Sequence, residues 1–109
     1  MTDKTITVYV SIDNGAQLPQ VEWAAYAGSI RGAIRRATSA IHGEWVSLPW
    51  SSYQAACWCL EIAPDEVERL KRTLGHLAED YRQDSVAWAV AETELISGSP
   101  GNPKEHTDA

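Results

Sequence analysis

The sequence predicts a small α+β domain, a four-stranded antiparallel sheet with two helices on one face, and three observations predict it. Stretches near 5–12 and 54–62 alternate from residue to residue as strands do. Two others, from Trp23 and from Val67, repeat apolar residues at helical spacing. Turn formers separate these runs into the order strand, helix, strand, strand, helix, strand.

In the first strand, Ile6, Val8, Val10 and Ile12 share one face, and Thr5, Thr7, Tyr9 and Ser11 the other. Asp13-Asn14-Gly15 supplies turn chemistry, and Pro19 suits the first turn of a helix because its missing N–H has no partner there. The helical stripe runs from Trp23 through Tyr26, Ala27, Ile30, Ile34 and Ala37 to Ile41. Gly28 and Gly32 weaken its intrinsic propensity, so packing must hold it. His42-Gly43 is expected to end this helix through a left-handed glycine cap, leaving Glu44 to Leu48 as a short strand and Pro49 to Ser52 as a turn.

The run Gln54 to Ile62 reads as a central strand: Ala56, Trp58, Leu60 and Ile62 take one face, Ala55, Cys57, Cys59 and Glu61 the other. Pro64 and Asp65 open the second helix, with Glu66 and Glu68 near its positive end and a stripe of Val67, Leu70, Leu74, Leu77, Ala78 and Tyr81. A last strand is expected from Ser85 to Ile96, with Val86, Trp88 and Val90 opposed to Ala87, Ala89 and Ala91. One domain over 5–96 accounts for all of these elements. The stretch 97–109 has no apolar anchor and is rich in turn formers, so a disordered tail is expected there.

This order, β-α-β-β-α-β, is the ferredoxin-like split unit, in which right-handed crossovers put both helices on one side of a sheet of expected order 4-1-3-2. The opposite face is then open. Tyr9, Cys57, Cys59 and the alanines of the last strand are placed to form it, and such small residues let a second sheet approach closely. A homodimer or higher homo-oligomer is the expected assembly.

Composition narrows the partners. The chain has 109 residues, 44% of them hydrophobic, which suits one modest core. Fifteen acidic against nine basic residues give a net charge of −6, which disfavours nucleic acid or an anionic membrane as the default partner. Arg31, Arg35 and Arg36 read as the solvated face of the first helix. No run approaches the ~20 apolar residues needed to span a bilayer, and the first residues lack a signal-peptide pattern, so a cytoplasmic protein is expected. Cys57 and Cys59 lie two apart on one strand face, about 6.5–7 Å between backbones with parallel side chains, too far for an easy disulfide. A metal would need further ligands, and only His42, His76 and His106 are candidates, so the pair reads as two small buried thiols, with no metal or cofactor expected.

The runs His42-Gly43-Glu44-Trp45, Ala56-Cys57-Trp58-Cys59 and Tyr81 through Trp88 resemble small uncharacterised proteins of actinobacteria and their phages. More loosely, the first strand, the Glu22-Trp23 helix and the Gln83-x-Ser85 junction are similar to a bacterial domain-of-unknown-function family of the same topology. The resemblance spans about 5–96. It implies the fold and a mobile-element origin, and it brings no activity.

Function is less legible. His42, Asp84, Glu92 and Glu94 are available for acid–base work, yet no nucleophile, base and orienting group form a recognisable signature, and the glycines are scattered. Glu92 and Glu94 read more simply as charges that keep an edge strand from aggregating. The aromatic content says more: five Trp and four Tyr with no Phe give every large ring a polar handle, which suits a partly wet surface. A niche is expected where the second helix hands over to the last strand, at Arg82, Gln83 and Ser85, facing Trp45, Trp50, Tyr53 and Gln54. There Trp50 would stack on a planar group and Arg82 would pair with an anion. The bland reading is that Gln83 and Ser85 only satisfy backbone groups at a strand start. The sequence therefore favours a non-catalytic binding or interaction protein, with a phage counter-defence factor that grips a host protein or sequesters a nucleotide-type signal as the specific form. The alternative is a small dimeric enzyme with His42 or an acidic residue at a dimer cleft.

Overall fold

A computed structural model describes residues 4–98 of the chain. Its elements are β1 (Ile6–Asp13), α1 (Gln20–Ala37), β2 (Ala40–Val46), β3 (Ala55–Ile62), a single 3-10 turn (Pro64–Glu66), α2 (Val67–Asp80) and β4 (Ala87–Ala91). The strands form one antiparallel sheet of order β2-β3-β1-β4, the expected 4-1-3-2 read from the other edge. The fold is therefore the ferredoxin-like α+β arrangement.

The alternation seen in the sequence decides which face is dry. Val8, Val10 and Ile12 of β1 and Ala56, Trp58, Leu60 and Ile62 of β3 point toward the helices and are buried. Trp23, Tyr26, Ile30 and Ile34 of α1 and Leu70, Leu74 and Ala78 of α2 close over them. Register carries the same sidedness across the sheet: Val10 lies opposite Trp58 on one side and Trp88 on the other, while Tyr9 lies opposite Cys59 and Ala89 on the reverse face.

Three expectations are corrected. Helix α1 ends at Ala37 rather than at His42-Gly43, and no glycine in the described residues has a positive φ. Thr38 is already extended, and Ser39 N–H donates to the Glu61 carbonyl at 2.9 Å, so pairing with the central strand takes over a stretch whose apolar spacing still looked helical. Gly43 instead sits just past a bulge in β2, between Ile41 and Gly43. Second, β4 stops at Ala91 rather than Ile96; its sole neighbour is β1, which has one residue, Ile6, left beyond the Thr7–Ala91 pair. Leu95 and Ile96 are exposed. Third, Cys57 and Cys59 are half-buried free thiols on the open face, not buried ones. Of the expected tail at 97–109, all but Ser97 and Gly98 lies outside the described residues. No helix among the described residues is long and apolar enough to cross a membrane.

Candidate functional site

Two loops meet at one end of the sheet, 14–19 between β1 and α1 and 47–54 between β2 and β3. The first is locked by Asn14, whose Oδ1 accepts from Leu18 N–H at 2.8 Å and whose Nδ2 donates to the Leu18 carbonyl at 3.0 Å. Asn14 N–H in turn donates to the Gln54 carbonyl at 2.9 Å, tying the loops together. Gln17 holds a left-handed backbone, φ 57°, which costs a non-glycine residue energy and is sustained by that network. The second loop is gathered by the Gln54 amide, which donates to the carbonyls of Ser51, Pro49 and Leu48 at 3.0, 3.1 and 3.3 Å. Trp50 is thus carried on a hydrogen-bonded base while its ring stays 79% exposed.

Trp50 and Ser51 are shared by two hollows. A polar cleft of about 350 Å³ is walled by the amides of Asn14, Gln17 and Gln20 together with Trp50 and Ser52. An aromatic hollow of about 390 Å³ lies on the other side, between Trp45, Leu48, Trp50 and Tyr53. Primary amides offer donors and acceptors in one plane, and indole offers a π face, so the pair can hold a planar polar ring by its edge and by its face.

The residues singled out from sequence are distributed as follows. Trp50 and Gln54 line the polar cleft; Trp45, Trp50 and Tyr53 line the aromatic one. Trp45 projects on the open face beside Cys57. Tyr53 donates its hydroxyl to Asp13 Oδ2 at 2.7 Å, and that hydrogen bond raises its pKa above the ordinary tyrosine value. Gln83 is buried beneath the first loop: its Oε1 accepts from Ala16 N–H at 3.2 Å and its Nε2 donates to Asn14 Oδ1 at 3.3 Å. It supports the cleft from behind. Arg82 occupies the left-handed position after α2, φ 61°, with Arg82 N–H on the Glu79 carbonyl and Gln83 N–H on the Ala78 carbonyl, the closure usually given to glycine. Its guanidinium meets Glu22 at 3.2 Å. Ser85 is exposed ahead of β4, and neither it nor Arg82 lines either hollow.

Sequence reasoning passed over Asn14, Gln17 and Gln20, because Asp13-Asn14-Gly15 signals a turn whether or not the turn also faces a ligand. It also missed a cluster at the opposite end of the open face. There Glu61 accepts from Thr5 at 2.8 Å, from Thr7, and lies 3.1 Å from His42 Nε2. The hydrogen bonds from Thr7 and Thr5, then the one from His42, hold the Glu61 carboxyl below its usual pKa. No cluster of three or more His, Cys, Asp or Glu suited to a metal occurs among the described residues.

No family model matches the chain, and no curated protein gives a significant match. Among solved structures it is similar to a dimeric ferredoxin-like protein from an uncultured marine organism, with 12% identity and a TM-score of 0.45, covering 88% of this chain and 96% of that one. A superposition of that quality carries no inference about ligand, activity or assembly.

Proposed function

We propose that the protein is a non-catalytic binding protein whose ligand is a planar, polar, nucleobase-like group stacked on Trp50. The observation that carries this reading is the position of Trp50: a largely exposed indole on a hydrogen-bonded loop, shared between a polar cleft and an aromatic hollow. Stacking of one base on one aromatic ring supplies about 1–3 kcal/mol, and the amides of Gln17 and Gln20 add edge recognition, the Asn14 amide being taken up in holding the loop. Arg82 lines neither hollow, and a phosphate on the ligand would have to draw it from Glu22, an exposed pair that costs little to break.

Self-association through the open face belongs to the same reading. Four strands about 4.8 Å apart, of 8, 7, 8 and 5 residues, give a floor of roughly 400–450 Å². That is half of the ~800 Å² per partner in a standard interface, so the exposed rings of Tyr9, Trp45 and Tyr53 would have to supply the rest. Light scattering at micromolar concentration should give at least a dimer; a 12 kDa monomer removes this part of the proposal. A phage counter-defence role, by capture of a nucleotide signal or of a host protein, is the biological setting proposed for such a module.

The deciding experiment combines mass spectrometry of small molecules released from the denatured protein with titration of nucleoside monophosphates followed by Trp fluorescence. Trp50→Ala should abolish binding with the melting point nearly intact. Arg82→Gly is the cleaner companion, since it removes the guanidinium and relieves a left-handed backbone, so weaker binding there cannot be blamed on unfolding. Full binding in Trp50→Ala would refute the site. The second reading, a small enzyme, is favoured by the His42–Glu61 pair: a carboxylate fixed by two threonines orients one ring nitrogen and leaves the other free as a base. Turnover of the released molecule, lost in His42→Gln, would establish that reading instead.

A further inference from the structure

The C-terminal end of α1 packs beside the first turns of α2, and a second cleft of about 350 Å³ opens there, at the far end of α1 from Gln20 and the loop that carries Gln17. Ala33, Ala37 and Leu70 form its apolar floor, and Arg36, Arg69 and Thr73 its walls. The Thr73 hydroxyl donates to the Arg69 carbonyl at 3.1 Å, so the donors facing the cleft are the two guanidiniums.

Those guanidiniums differ in how they are held. Arg69 reaches Glu66 through one terminal nitrogen, at 2.5 Å, across an exposed pair of the kind that exchanges partners cheaply. Arg36 has no carboxylate partner among the described residues, although the chain as a whole is acidic. It also has a reason to lie where it does. One turn earlier stands Gly32, and a Cβ built there would come within 3.3 Å of an Arg36 terminal nitrogen. The absence of a side chain at 32 lets Arg36 fold back along the helix. Gly32 is otherwise a poor choice for the middle of a helix, since glycine lowers helical propensity.

We propose that this cleft binds the phosphate of a small phosphorylated molecule, held between the planar forks of Arg36 and Arg69 with its apolar portion over Ala33, Ala37 and Leu70. Guanidinium forks match phosphate oxygens two at a time. The cleft is half open to solvent, and its volume lies at the lower end of ligand pockets, which suits a small molecule. This site is independent of the one at Trp50.

The test is titration of the full chain with inorganic pyrophosphate and with butyl phosphate, neither of which has a planar ring for Trp50, at low ionic strength, where screening is weakest, read by amide and arginine side-chain NMR shifts. Saturable shifts confined to Ala33, Ala37, Leu70 and Thr73 are expected, weakened at least five-fold in Arg36→Gln and in Arg69→Gln. Gly32→Ala, which asks the tip of Arg36 to give by only a small distance, should change the affinity less than either arginine variant. Absence of saturation by about 10 mM, or equal affinity in both arginine variants, overturns the proposal. So does tighter binding of a phosphoserine peptide than of either small anion, which would make the cleft a protein-docking site.

Discussion

The two faces of the sheet are written in the same strands, one residue apart, and they obey different rules. In β3, Trp58 is wholly buried under the helices while Cys57 and Cys59 beside it are half-exposed on the reverse. In β1, Val8 and Val10 are dry while Tyr9 between them is open. The covered face is large and apolar, and the open one is small, with hydroxyls, thiols and alanines in its middle and polar or aromatic clusters at its two ends. Burial fixes side chains on the first face through packing. On the second, nothing in the fold demands Trp45, Tyr53, His42 or Glu61, so those are the residues whose presence asks for a functional reason.

The largest expected break in this comparison is Trp58→Ala against Cys59→Ala. The first empties the centre of the core and should cost about 3–5 kcal/mol, whereas the second should cost under about 1 kcal/mol; urea denaturation measures both. Similar costs would mean the open face is covered in solution. Next comes Glu44, which reaches from β2 to accept the Trp58 indole N–H at 2.6 Å and is itself clasped by Arg31 at 2.6 and 3.0 Å. The Arg31 hydrogen bonds, with a further contribution from the Trp58 N–H, keep the Glu44 carboxyl below its usual pKa. Glu44→Ala orphans a buried donor and should cost about 1–3 kcal/mol, more than Arg31→Ala, in the same denaturation assay.

A smaller effect of opposite sign is expected at Tyr26. Its hydroxyl is buried without a hydrogen-bond partner among the described residues, and that burial, helped by the Asp13 carboxylate, pushes its pKa up to about 12. Tyr26→Phe removes the unmet group and keeps the ring contacts with Trp23 and Tyr81, so stability should hold or rise by up to about 1 kcal/mol. A clear drop in melting point would show that the hydroxyl has a partner in solution. The smallest effect belongs to the open face. Glu61 is held below its ordinary pKa, so its contribution is present above about 4.5 and is lost as pH falls through the lowered folded value. Glu61→Gln should therefore lower stability slightly at neutral pH, flatten the acid side of the stability curve, and match the parent chain once pH has fallen below the lowered folded value.

The strand and helix patterns were readable because burial on one side imposes a period, and the period survives in the sequence at Ile6 to Ile12, Ala56 to Ile62 and Leu70 to Ala78. Where two periods overlap, the sequence misleads: Ala37 and Ile41 fit a helical stripe, yet Ile41 faces Leu60 from a strand. The end of β4 was equally unreadable, since a strand stops where its partner runs out, and the partner is remote in sequence. The same limit applied to the site. Trp50 and Gln54 were visible as an aromatic, polar loop, but Asn14 and Gln17, which complete the cleft with Gln20 at the start of α1, come from a loop that reads only as a turn.

The sequence by itself determined the element order, the sidedness of β1 and β3 and the identity of the core, because these follow from local spacing and from the cost of leaving apolar surface wet. Only the tertiary structure decided that Gln83 supports the loop of Asn14, that Glu61 meets His42, Thr5 and Thr7, and that Arg36 folds over Gly32 beside Arg69. Such pairings depend on the register and the helix packing that bring distant segments together, and no periodicity within one segment records them.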